Sequence, residues 1–192
     1  MSSNLKKVLS DVEISLKEAS GHYEIWWALG YTENRKKFRG VFEHNDYNHV
    51  LHTSYIANQM AMFMALARLF DRDPRASSMS VLRRSLSDNG FDSLSQLICH
   101  ELQAYKTLVK KILDVRSKLV AHKDSSYTDS EVLSENGITP KEIRDLLKSC
   151  TGLLVQVACK LRTFNVAYTT GFHEQSTLNV LEGLEGITKT SS

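Results

Sequence analysis

The sequence predicts an all-α fold, an antiparallel bundle of four to five helices, and three observations lead there. Only 9 Gly and 2 Pro occur in 192 residues, about half of the roughly 12% combined average, so turns are few and elements long. Hydrophobic residues make up 42% and charged residues 24%, ordinary globular values that exclude a disordered chain. Apolar residues recur at steps of three and four over long stretches, as one face of a helix requires. Sandwiches, barrels and propellers need a breaker every several residues and are excluded on that ground. A chain of this length is served by one core, so residues 1–192 are expected to form a single domain, with a flexible tail from about residue 174.

The first helix is expected from near Asn4, with Leu5, Val8, Val12, Leu16, Ala19, Tyr23 and Trp26 on one face. Gly21 interrupts that stripe without ending it. A polar stretch follows from Thr32 to Asn45, holding the basic knot Arg35-Lys36-Lys37-Phe38-Arg39. The second helix is expected from an Asp46 N-cap to Asp71, with Val50, Ile56, Met60, Phe63, Met64, Ala67 and Phe70 turned inward. Pro74 halts it, because the residue before a proline leaves the helical region. A short helix from Ser78 to Ser87 is closed by Asn89-Gly90, a left-handed pair. Asp92 then caps a fourth helix running unbroken to about Lys123, since no Gly or Pro occurs within it. After a polar loop, Thr139-Pro140-Lys141-Glu142 forms a capping box that starts a fifth helix, expected to reach about Phe172. Beyond it, only one weak helical turn between Leu178 and Leu184 is expected.

Charge is nearly balanced, with 24 Lys and Arg against 22 Asp and Glu, so no nucleic-acid or membrane partner is announced by net charge. The three cysteines, Cys99, Cys150 and Cys159, form no CxxC pair and sit in apolar-periodic stretches. Reduced, buried thiols and a cytoplasmic setting are the expectation. The N-terminus lacks a signal-type apolar core, and the longest purely apolar run, Met60 to Ala67, is far too short to span a bilayer.

The sharpest chemical feature closes the fourth helix: Arg116-Ser117-Lys118-Leu119-Val120-Ala121-His122-Lys123-Asp124. The stripe Tyr105, Leu108, Ile112, Val115, Leu119 advances by three and four, and its next step lands on His122. At helical pitch Arg116 and His122 stand about 120° apart with Leu119 between them, so they border one apolar face from opposite sides. Histidine gives and takes protons near neutral pH, and arginine offers forked donors matched to phosphate oxygens. Such a pair suits attack of a ribose 2′-hydroxyl on the adjacent phosphodiester, with no metal or other cofactor required. Lys118, on the same side as His122, is placed to hold a phosphate. The opposing reading is a surface arginine and a histidine satisfied at a helix end, since an Arg-to-His spacing of this kind arises by chance in a chain of this size. Arg39 and His44 share it.

Arg116-x-Lys118-x-x-Ala121-His122-x-Asp124, late in a helical chain, resembles the signature of the HEPN superfamily, and is similar above all to its abortive-infection, AbiU-like branch. The segment Leu66-Ala67-Arg68-Leu69-Phe70-Asp71, followed by a loop and Val81-Leu82-Arg83-Arg84, is similar to that branch as well. The resemblance spans the chain from about Trp26 to the fifth helix. It implies a four- or five-helix bundle that often dimerises through the motif face, and a metal-independent endoribonuclease in phage defence or a toxin–antitoxin pair. Arg116 and His122 become the catalytic pair, supported by Ser117 and Lys118, with RNA as substrate, a homodimer as assembly and a cognate antitoxin as a further partner. One departure stands out: active members place Asn, Asp or His after the arginine, where this chain has Ser117. A catalytically silent RNA- or protein-binding module is the alternative that this departure favours.

Two other groups compete with this site. Arg35, Lys36, Lys37 and Arg39, with Phe38 and Tyr31 nearby, and Lys123 beyond the motif, are candidate RNA contacts through phosphate pairing and base stacking. A solvated basic surface accounts for them equally well. His49 and His52 lie at i and i+3 with His44 or Asp46 as a third ligand, a geometry that helical bundles use for metals. No HExxH or Glu-x-x-His accompanies them, so polar histidines at a helix start are the stronger reading and no metal is assigned.

Overall fold

The computed structural model describes residues 2–121, 136–163 and 171–190. Every regular element among them is a helix: α1 (Ser3–Gly30), α2 (Thr32–Lys37), α3 (Arg39–Phe42), α4 (Asn48–Leu69), α5 (Met79–Asp88), α6 (Asp92–Gln103), α7 (Lys106–Ala121), α8 (Pro140–Leu161) and α9 (Phe172–Thr190). The all-α class is therefore as the sequence predicts. The chain forms two compact units, Met1–Ala19 with Phe63–Tyr168 and Ser20–Met62 with Thr169–Ser192; α1 and α4 contribute residues to both.

In the first unit the α1 stripe is buried at Leu5, Val8, Val12, Leu16 and Ala19. Arg68 of α4 pairs with Glu18 of α1. Asp11 accepts from Lys7 at 2.9 Å and from the Ser77 hydroxyl at 2.7 Å, and these two bonds hold its carboxyl below the usual carboxylate range. Helix α5 packs on α6, and α6 on α8.

The helix ends show which local signals act. Gly90 closes α5 at φ +79°, with Phe91 N–H donating to Leu86 O and Gly90 N–H to Ser87 O, both at 2.9 Å. This is the paired bonding of a Schellman end. At α8, Thr139 Oγ1 accepts from Glu142 N–H at 3.2 Å, and Glu142 Oε2 accepts from Thr139 N–H at 2.8 Å. The expected capping box is present, with Pro140 at the first helical position. Caps of this kind contribute about 1 kcal/mol, and they pull the Glu142 carboxyl below its ordinary range. At the other end of α8, Arg162 takes a left-handed conformation, φ 54° and ψ 39°.

Several expectations need correction. The fourth helix is not continuous: α6 ends at Gln103 and α7 begins at Lys106. Tyr105 N–H reaches Leu102 O, three residues back, at 3.1 Å, and the Tyr105 hydroxyl donates to Asp145 O of α8 at 3.3 Å. A tightened turn tied to a neighbouring helix thus breaks a segment that holds no Gly or Pro. Asp92 does not cap α6; Phe91 holds that position without a side-chain bond, and Asp92 accepts from the Ser87 hydroxyl. Asp46 lies two residues before α4. The fifth helix ends at Leu161, ten residues or so short of the expected Phe172.

The inner face of α4 is also shifted. Phe63, Ala67 and Phe70 are buried as expected, but Val50 is 66% exposed and Met60 and Met64 are exposed, while Leu51, Gln59, Met62 and Leu66 are buried. Apolar residues surround this helix on most sides, so periodicity alone does not choose among faces.

In the second unit, Tyr23, Trp26, Ala28 and Leu29 of α1 are buried, and Trp27 is half-buried. Leu29, Phe38, Val41, Leu51 and Leu181 form the core, with Phe42, Tyr47, Tyr55, Leu178 and Leu184 packed against it. The stretch expected to be a polar connector instead holds α2 and α3, because Phe38 and Val41 have this core to enter. The tail is likewise more helical than the single turn expected: α9 spans 19 residues and packs on α3. Glu24 of α1 explains its start. Its carboxylate accepts from the backbone N–H groups of Gly171 at 2.6 Å and His173 at 2.9 Å, satisfying donors that a helix N-terminus leaves without partners. Gly21 has a packing reason as well, since an added Cβ would lie 3.1 Å from the His173 ring.

Candidate functional site

Two regions carry the residues singled out above, one in each unit. In the first unit, α7 buries Leu108, Ile112 and Val115, and leaves Arg116, Ser117 and Lys118 exposed. Five basic residues against one acidic, Asp114, lie between Lys106 and Ala121. Their surroundings differ. Lys111 donates to Gly137 O at 2.7 Å and Lys118 to Asn136 Oδ1 at 3.1 Å, so both reach the segment that leads into α8. Lys118 retains further N–H donors beyond that one bond. The Ser117 hydroxyl donates to Leu113 O, one turn back in its own helix, at 3.0 Å. Such back-bonding turns a serine toward its helix rather than toward a neighbour or a ligand. Arg116 makes no hydrogen bond or ion pair with any described residue. His122 and Lys123 lie outside the described residues, which α7 reaches as far as Ala121.

In the second unit the basic knot is spread over α2, Phe38 and the start of α3, and most of its charge is already paired. Lys36 meets Glu33 at 3.0 Å, Lys37 meets Glu182 of α9 at 3.0 Å, and Arg39 meets Glu43 at 2.8 Å. Phe38, expected to stack a base, is fully buried; the core of this unit has taken its ring. Tyr31 stacks on Trp27 at 4.7 Å between centroids. Arg35 alone in the knot has no carboxylate among the described residues, and its guanidinium lies 4.9 Å from the Phe42 ring centroid, a cation–π distance.

Arg35 also opens on a cavity of about 220 Å³, where it joins Phe42, Asn48, His49, His52 and Tyr55. The two histidines lie one turn apart on α4, as their spacing predicts. His44, weighed as a third metal ligand, is not part of this wall. It stacks on Tyr47 at 4.7 Å, with Nδ1 accepting from Asp46 N–H at 3.3 Å. Among the described residues, no group of three or more His, Cys, Asp and Glu comes together as a metal site.

A second cavity, of about 290 Å³, lies in the first unit. Apolar Phe70, Ile98 and Leu102 and basic Arg72, Arg83 and Lys106 are among the residues that line it. Arg83 Nη1 donates to Cys99 Sγ there at 3.0 Å. Cys99 and Cys159 are exposed, which corrects the expectation that all three thiols are buried. Only Cys150 is buried, and burial pushes its thiol up to about 12. Sequence reasoning missed this cavity and the Glu24 cap because each joins side chains from separate elements, with no short-range pattern to mark them.

No helix among the described residues is long and apolar enough to cross a membrane. No match was found among curated proteins or among solved structures. A family model, HEPN_AbiU2, described as AbiU2, matches residues 2–169. That span takes in α1 to α8 and the whole segment from Arg116 to His122, while α9 lies beyond it. With most of its length matched, the chain belongs to the AbiU2 family of HEPN-type, abortive-infection proteins.

Proposed function

We propose that this chain is a metal-independent endoribonuclease of an abortive-infection or toxin–antitoxin system, acting on RNA as a homodimer held in check by a cognate antitoxin. The observation that carries the reading is Arg116: an exposed guanidinium on α7, without a partner among the described residues, six positions before His122 in a HEPN-type sequence. An arginine left unpaired at the edge of a buried stripe is ready to meet an anion from outside the fold. In the proposed reaction, His122 takes the proton of a ribose 2′-hydroxyl, whose oxygen attacks the neighbouring phosphorus. As the bond to the 5′-oxygen breaks, that oxygen takes a proton from the His122 imidazolium or from solvent, giving a 2′,3′-cyclic phosphate and a 5′-hydroxyl. Arg116 stabilises the charge that grows on the phosphorane oxygens, and Lys118 supplies a second cation beside it.

A second reading has its own support. With its hydroxyl bonded to Leu113 O, Ser117 does not offer the reach of the Asn, Asp or His that the resemblance leads one to expect. On that observation the same face serves a silent module that binds RNA or protein without cutting. End-labelled RNA incubated with the pure protein in excess EDTA separates the two. The nuclease reading expects cyclic phosphate ends that disappear with Arg116→Ala and with His122→Ala. Cleavage that persists in the double variant, or no cleavage with stoichiometric partner retention, removes it.

A further inference from the structure

We propose that the cavity of the second unit is a phosphate-ester site, in which Arg35, His49 and His52 hold the phosphate oxygens of a nucleotide. The charge pattern points there first. Of the four cations between residues 35 and 39, three are neutralised by Glu33, Glu182 and Glu43, whereas Arg35 is left facing a concave surface. No Asp or Glu contributes to that wall, so an anion entering it meets no opposing carboxylate. The guanidinium is held over Phe42, which limits its freedom before any ligand arrives.

The donors complement one another. A guanidinium offers a planar fork to two phosphate oxygens, and each imidazole offers an N–H in either tautomer. His49 and His52 are both exposed, so their rings are accessible to solvent and to a ligand. They stand in the first turns of α4, where the backbone N–H groups of His49 and Val50 meet no carbonyl acceptor among the described residues. The end of a helix of 22 residues adds a partial positive charge beside them.

Asn48 also lines this wall. Its side-chain oxygen is buried and has no hydrogen-bond partner, an arrangement that proteins rarely leave unfilled. A volume of about 220 Å³ accommodates a phosphate and its adjoining sugar rather than an extended ligand. Service of this site to an RNA strand rests on the proposed nuclease or RNA-binding reading; binding of the phosphate ester itself does not.

The test uses the full chain carrying Arg116→Ala and His122→Ala, so that cleavage cannot confound binding. Calorimetric titrations compare inorganic phosphate, uridine 5′-monophosphate and a short single-stranded RNA. Saturable binding of the mononucleotide is expected, weakened at least about tenfold by Arg35→Ala and similarly by His49→Ala with His52→Ala. Lys189→Ala removes a positive charge from an exposed position outside the wall, where it pairs with Glu185 at 3.1 Å, and is expected to change affinity less than about twofold. Arg35→Lys keeps the charge and removes the fork, and thermal melts confirm that each variant folds. Equal losses from Arg35→Ala and Lys189→Ala, or no saturable binding of any probe, would overturn the proposal. If mononucleotide binds through Arg35 and RNA does not, the site stands for free nucleotides and its service to RNA falls. If RNA is bound or cut independently of Arg35, His49 and His52, the RNA reading stands and this site falls.

Discussion

Replacing Glu24 tests the contact that starts α9. Glu24 is 8% exposed, and its carboxylate accepts from Gly171 N–H at 2.6 Å and His173 N–H at 2.9 Å. A hydrogen bond to a charged group contributes about 1.5–3 kcal/mol, and an anion at a partly buried helix N-terminus up to about 2 kcal/mol. These figures describe overlapping parts of one interaction, so they do not add. Glu24→Ala removes both acceptors and leaves two N–H groups without partners, for an expected loss of about 2–4 kcal/mol. Glu24→Gln keeps one acceptor and loses the charge, for about 1–2 kcal/mol. Urea denaturation measures the loss, and amide hydrogen exchange locates it. Faster exchange is expected through the first turn of α9, with little change in the capping box of α8. A loss below about 0.5 kcal/mol for Glu24→Ala, within the range of ordinary surface changes, together with unchanged exchange in α9, would refute the capping argument.

Three further outcomes follow from the same geometry. Leu181 is fully buried among Leu29, Phe38, Val41 and Leu51, so Leu181→Ala is expected to cost about 2–5 kcal/mol in denaturant melts; a cost under about 1 kcal/mol would show that α9 is not part of this core. Arg162 sits in the left-handed region at the end of α8, where a non-glycine residue is strained by about 1–2 kcal/mol. Arg162→Gly is therefore expected to raise the melting temperature, after the added chain entropy of glycine is offset, and a lower melting temperature would contradict the strain. Cys150 is expected to resist thiol reagents that label exposed Cys99 and Cys159 in the folded chain. Its folded thiol is pushed up from 9.0 to about 12. Between these values only the unfolded state releases the proton, so stability falls as pH rises, by about 1.4 kcal/mol per pH unit at most. Denaturation at pH 8 and pH 10 measures the effect, and a slope unchanged in Cys150→Ala would refute it.

Much of this fold is legible locally. The α1 stripe, the capping box at Thr139 and the glycine end at Gly90 are each set by residues within a few positions of one another, and all are found where the sequence places them. The candidate site is legible only in part. The Arg116 segment is visible because a cationic and a titratable side chain border an apolar stripe, yet its relation to Ser117 depends on a hydroxyl rotamer that no spacing encodes. Phe38 misleads because an aromatic residue within a basic run serves a core as readily as a base. His49 and His52 are readable as neighbours on a helix, whereas their meeting with Arg35 is not.

By itself, then, the sequence determined the all-α class, the family signature and the helix ends whose signals are covalently close, because propensity, capping and side-chain period act over one or two turns. Tertiary structure decided the rest: the break at Ala104–Tyr105, the buried side of α4, the ordered helix at the C-terminal end, and which cation of the basic knot is left unpaired. Three of these depend on a partner far along the chain: Asp145 for Tyr105, Glu24 for α9 and Glu182 for Lys37. Burial and charge pairing are properties of surfaces brought together by folding, and a one-dimensional pattern records only one side of each.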